Sequence, residues 1–187
     1  MKILKVEPNA NHVQWIIPRV EDENLLDLLS FDCASRGKEL DNIEWYIFNP
    51  KAKKGNFYVG INGALVFDQA AYDSELFTAF EMAGEILPIN LENGDTLYIL
   101  NVLECINILN AKNTVYSIYS DGSKGRILNY SFFENGISES SIFKIPETSR
   151  TQILTYADVK NPDDEFFYVY KESGLTGLIF NEIYSTP

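Results

Sequence analysis

One histidine, His12, and two cysteines, Cys33 and Cys105, are all that this chain of 187 residues carries of the types most used in metal centres and nucleophilic catalysis. A single imidazole excludes histidine-rich metal sites, and His12 lies in the strand-like "NHVQWII", where a structural or surface role suffices. The cysteines are far apart in sequence, without a C-x-x-C partner or a basic neighbour, and are expected to be inert thiols, Cys105 within the apolar run "LECINIL". Positive charge is scarce too. Fifteen Lys and Arg face 27 Asp and Glu, a formal charge of -12, which argues against nucleic-acid phosphates as a ligand and favours a cationic partner. No run reaches the roughly 18 apolar residues of a membrane helix, so no membrane partner is expected. The opening "MKILKVEPNANHV" lacks the apolar core and small-residue cleavage site of a secretory signal, so a cytoplasmic address is expected. A phosphate loop is also missing: "GLTGLIF" has neither the G-x-G-x-x-G spacing nor a Lys-Ser/Thr ending, and its glycines follow a helix instead of preceding one.

What is present is apolar and aromatic. With 45% hydrophobic residues, 12 Phe and 11 Tyr, the chain can bury a sizeable core as one domain over 1–187, with 1–60 and 61–187 as candidate sublobes. Asn62-Gly63, Asn93-Gly94, Asp121-Gly122 and Asn135-Gly136 each separate strand-like segments, which predicts two hairpins followed by a meander. Helices are predicted over 161–174, with Asn161 as N-cap, Pro162 at N1 and Gly174 as the stop, and over 73–83, with Asp73 as N-cap and Gly84 as the stop. A third is predicted over about 22–30. The fold class is therefore α+β: mostly antiparallel twisted sheets with hairpins, and two or three short helices packed on them.

The two strand-helix-strand units superpose without a gap at an offset of 90 residues, where Asp68, Asp73, Glu75, Phe77, Gly84 and Ile89 match Asp158, Asp163, Glu165, Phe167, Gly174 and Ile179. Adjacent carboxylates such as "PDDEF" could furnish an acid–base pair or a calcium site, but Asp163 and Asp164 are accounted for by a helix start, and no EF-hand spacing is present. No catalytic residue, metal or cofactor is expected. The acids of "VEDENLLDLLSFD", notably Glu21, Asp22, Glu23 and Asp27, form the candidate partner-binding patch, with Trp45 and Tyr46, and beside them Trp15, as aromatic anchors at its rim.

The run "EILPINLENGDTLYILNVLECINILNAKNTVYS" and the terminal "FFYVYKESGLTGLIFNEI" resemble the bacterial family called immunity protein eleven, from about residue 63 to the end, the likeness resting on Tyr98 to Leu103, Cys105 and Gly174 to Phe180. The first 60 residues carry no part of it. The resemblance implies a cytoplasmic antidote, not an enzyme, that occludes the cognate toxin of a polymorphic toxin system; an acidic antidote suits a basic toxin. A carboxylate-lined small-ligand binder or hydrolase, or a structural adaptor that oligomerises through a sheet edge, are the readings of other classes.

Overall fold

Turn chemistry decides most of the strand pairing. The computed structural model describes residues 1–19, 29–37, 40–41 and 43–186. Most of the helix expected over 22–30, with Glu21, Asp22, Glu23 and Asp27, lies outside the described residues. Asn62-Gly63 joins β4 (Phe57–Tyr58) to β5 (Ala64–Phe67), Asn93-Gly94 joins β6 (Gly84–Asn90) to β7 (Thr96–Val102), and Asp121-Gly122 joins β8 (Val115–Ile118) to β9 (Lys124–Asn129). All three glycines have positive φ, the conformation these tight turns demand. The meander fails at Asn135-Gly136, because β10 (Ile142–Phe143) pairs with β11 (Ile153–Ala157) and not with β9.

The remaining strands are β1 (Lys2–Pro8), β2 (Ile16–Pro18), β3 (Trp45–Ile47) and β12 (Leu178–Ser185), and the described helices are α1 (Gln69–Tyr72), α2 (Phe77–Ala83) and α3 (Phe166–Glu172). One antiparallel sheet has the order β10-β11-β1-β12, another the order β4-β5-β7-β6, and β2-β3 and β8-β9 are two-stranded ribbons. The protein is thus α+β, with antiparallel sheets and short helices packed on them.

Placed side by side, β1 to β6 and β7 to β12 run through the same series: a sheet strand, a two-strand ribbon, a short strand, a central strand, helix and a last strand. The first strand of each series is exchanged. β1 lies between β11 and β12, while β7 lies between β5 and β6. The exchange ties the halves together and places β1 inside the C-terminal sheet, so a boundary at residue 60 does not follow sheet membership. Even the isolated bridges repeat, with Trp15 beside Val59 in one half and Cys105 beside Lys144 in the other. The residue matches at offset 90 have less meaning: Gly174 stops a helix at positive φ, whereas Gly84 is extended and is required because a Cβ would meet the Asn101 carbonyl of β7.

Central strands bury both faces, so their side chains alternate between two cores. Leu65 and Phe67 point into a shared central core with Val6, Leu100, Phe80 and Phe166, where the two sheets and the helices meet. Ala64 and Val66 face a second core under β2 and β3, and Leu154 and Tyr156 face a third that includes Ile108 and Phe132.

Helix ends depart from expectation. Asp68, not Asp73, caps the first helix by accepting the Ala71 N–H at 3.0 Å, and the chain turns at Asp73 and Ser74 before α2 begins. The helix predicted over 161–174 is a 3-10 turn at Pro162–Asp164 followed by α3, and Asn161 makes no side-chain cap. Phe166 and Tyr170 are buried and Val169 packs against them, as the spacing predicts. The segment Gly174 to Gly177 then docks on β4: the Thr176 carbonyl accepts from Asn56 and Phe57 N–H, and the Tyr170 hydroxyl accepts the Leu178 N–H at 2.9 Å. Gly177 sits at φ +117°, where a Cβ would stand 2.7 Å from the Phe57 carbonyl oxygen. Gly177→Ala is expected to lower stability by about 2 kcal/mol, read as a reduced urea midpoint at unchanged slope.

Candidate functional site

Three places stand out chemically: an acidic cleft, an uncovered ribbon, and a buried lysine beside both thiols. The cleft lies between α2 and the 3-10 turn before α3. It has a volume of about 300 Å³ and is lined by Glu75, Glu139, Asp163, Asp164, Lys160 and Phe166 among others. Its wall is shaped by Glu165, which is wholly buried and accepts the backbone N–H groups of Asp158, Val159 and Lys160 at 2.9, 2.7 and 2.6 Å. Glu165 is therefore a loop anchor and not a surface acid. Lys160 donates to Glu139 at 2.8 Å, a contact that holds the Glu139 carboxyl below its usual range and raises the lysine. On the reverse of the same turn Tyr168 and Lys2 donate to Asp158, and both bonds lower that carboxyl.

The rim anchors proposed from sequence do not come together at the surface. Trp45 is 0% exposed, packed in the core under β2 and β3 with Ile16 and Leu91, so its indole is unavailable to a partner. Tyr46 is half-buried under the Arg19 guanidinium, 5.4 Å from its ring centroid, and Arg19 also pairs with Glu44 and Glu92. Trp15 stays partly exposed, its indole N–H donating to the Ala10 carbonyl at 3.3 Å.

Sequence reasoning missed the β8-β9 ribbon as a surface. Among the described residues it has no third strand, and it covers the third core only in part: Tyr116 and Ile127 pack inward, while Val115, Ile118, Tyr119, Leu128 and nearby Phe133 stand 49% to 63% exposed. Its counterpart in the other half, β2-β3, buries Ile16 and Trp45 completely. The ribbon carries a local positive excess on an acidic chain, since Lys112, Lys124 and Arg126 face only Asp121 between residues 105 and 133. Lys124 lies over the Tyr116 ring at 4.5 Å, so that cation stays against the ribbon's aromatic surface. The signal for this surface was the pattern "VYSIY…RILNYSFF", too apolar for a strand pair that buries only one face.

No protein-family model and no curated protein matches the chain. The resemblance to immunity protein eleven therefore rests on its motifs alone. Among the described residues no helix is long and apolar enough to cross a membrane, and no group of three or more His, Cys, Asp or Glu is placed to hold a metal ion.

The third place is Lys144. It occupies the position of Val59 in the other half, is 0% exposed, and its Nζ donates to the Phe31 carbonyl at 2.6 Å. Burial pulls its ammonium down to about 8, against the opposing attraction of Cys33, Cys105 and Asp32. An unfolded lysine keeps its proton to about 10.4. Between those values the folded chain binds fewer protons than the unfolded one, so the cost of the buried charge is present below pH 8 and relieved as pH rises. Lys144→Met is accordingly expected to gain about 1–2 kcal/mol at pH 7 in urea denaturation, with the gain vanishing near pH 10.

Proposed function

We propose that this chain is an immunity protein: a cytoplasmic antidote that binds a cognate bacterial toxin and blocks it by stoichiometric occlusion, without turnover. The observation that carries the reading is the uncovered β8-β9 ribbon, apolar at its centre and basic at its edges, where the matching ribbon is sealed into the core. Exposed aromatic and aliphatic side chains ringed by charge are the composition of a protein interface. The resemblance to immunity protein eleven supplies the partner class. A toxin that meets this face would present an acidic rim, whereas the acids at 21–27 would meet a basic one.

Co-expression with the protein encoded immediately upstream tests the reading. Restored growth and a co-eluting complex on gel filtration are expected; growth arrest with no complex would sink it. The acidic cleft favours a second reading, a binder of small cationic ligands, because four carboxylates there face one lysine. Titration with spermidine in a calorimeter should then give saturable heat that Glu75→Gln with Asp164→Asn abolishes, and a flat titration disposes of that reading.

A further inference from the structure

The two thiols, expected to be inert and far apart in sequence, meet at Lys144: Cys105 is bridged to it, its Nζ donates to the Phe31 carbonyl two residues before Cys33, and Cys105 helps to raise the Cys33 thiol. Cys105 lies just after β7 and is bridged in register to Lys144, whose backbone N–H donates to the Glu104 carbonyl and whose carbonyl accepts from Ile106. Cys33 comes from the other half, in the segment after Phe31, between β2 and β3. Its φ is +71°, a conformation that β-carbon residues adopt at a cost and that tertiary contacts must hold. Those contacts are visible. Glu85 on β6 accepts from the Ser35 hydroxyl at 2.8 Å, the Arg36 N–H at 2.5 Å and the Gly37 N–H at 3.4 Å, and Asn101 donates to both Glu85 and the Ala34 carbonyl at 2.8 Å. Burial opposes ionisation of Glu85, but these bonds outweigh it and hold the carboxyl below its usual range. Both thiols are partly exposed, so a small oxidant can reach them. Packing alone does not require a cation beside them, since the other half places Val59 at the position of Lys144.

The geometry points to Cys33 and Cys105 as a dithiol that closes to an intramolecular disulfide under hydrogen peroxide, with the Lys144 ammonium as a positioning group beside the reacting sulfurs. Burial pushes the Cys33 thiol up to about 11, with Lys144 pulling the other way, so Cys33 is the resolving thiol and Cys105 meets the oxidant. The Cys105 sulfur attacks the O–O bond, becoming a sulfenic acid and releasing one water; Cys33 then displaces the hydroxyl, its proton leaving with it as the second water. The two sulfurs give up two electrons and one peroxide becomes two waters. The bond would fix the Phe31–Gly37 segment to the end of β7 and close a loop of about 70 residues.

The test treats the full-length protein with peroxide and maps peptides without reduction. The wild type is expected to lose both free thiols, yield a linked Cys33–Cys105 peptide without dimerising, and melt about 5 °C higher. Cys33→Ser should stop at a dimedone-trapped sulfenic acid on Cys105, and Cys105→Ser should leave Cys33 unreacted. A disulfide between chains, or equal sulfenic acid in wild type and Cys33→Ser with no linked peptide, overturns the proposal. The charged and titratable groups around Lys144 are Cys33, Cys105 and Asp32, with Arg150 also acting on Cys33. Lys144→Met should slow closure about 10-fold at pH 7, the difference fading as pH passes about 8 and the wild-type lysine loses its proton. An unchanged rate at pH 7 removes Lys144 from the step.

Discussion

Glu165→Ala is expected to lower folding stability by about 4 kcal/mol, the largest loss from any single acidic side chain considered. The carboxylate is wholly buried and receives three backbone N–H groups from the turn that leaves β11. Hydrogen bonds to a charged acceptor contribute about 1.5–3 kcal/mol each, and truncation leaves three backbone donors without that partner. Asp158 in this turn sits at φ +61°, which a non-glycine residue keeps only when tied, and Glu165 ties its backbone N–H where Tyr168 and Lys2 hold only its side chain. Glu165→Gln retains one acceptor oxygen and should lose about half as much. Glu139→Ala is the control, because its pair with Lys160 is open to solvent, where an ion pair adds little to stability. Urea denaturation at pH 7 measures all three, and a loss below about 1 kcal/mol for Glu165→Ala would show that the carboxylate does not anchor the turn. The same variant should loosen the acidic cleft, since Asp163 and Asp164 stand on the 3-10 turn immediately before Glu165.

How far this arrangement was legible in the sequence depends on the range of the interaction. Local chemistry was readable: Asn-Gly and Asp-Gly supplied three of the hairpins, because positive φ is a property of two residues and needs no partner elsewhere. Asn135-Gly136 carries the same signal yet joins no paired strands, since the place of β10 is set by β11 and by burial on both faces of the sheet. The repeat was visible as architecture but not residue by residue, and no local pattern announces that β1 and β7 trade sheets. Charge misled in a specific way. Glu165 shares the string "PDDEF" with exposed Asp163 and Asp164, which a helix start accounts for in the sequence, but three converging N–H groups draw Glu165 alone inside. Trp45 was placed at a rim because its neighbours are acidic, but β3 alternates and turns the indole into the core while Glu44 stays at the surface. The Cys33, Cys105 and Lys144 cluster joins three distant segments, so only the tertiary fold discloses it.

For the ribbon, Ile118→Glu combined with Leu128→Glu is expected to weaken binding of the proposed toxin partner at least ~100-fold while leaving stability within about 0.5 kcal/mol. Both side chains are more than half exposed, so the folded monomer gives up little burial when they change. In a complex they would be the residues desolvated at the centre of the face, where truncation or charge acts most strongly. Each substitution also places a carboxylate against the acidic rim that the basic ribbon selects, so attraction becomes repulsion. Lys124→Glu alone tests the charge part separately. It should mainly slow association and flatten its salt dependence, because a rim charge steers encounter more than it holds the bound state. Growth protection, titrated complex formation and thermal melting of the same preparations give the three readings together. Intact protection by the double glutamate variant would move the interface away from the ribbon and leave the antidote reading to the acids at 21–27, whereas lost protection with an unchanged melting temperature would place toxin contact on β8 and β9.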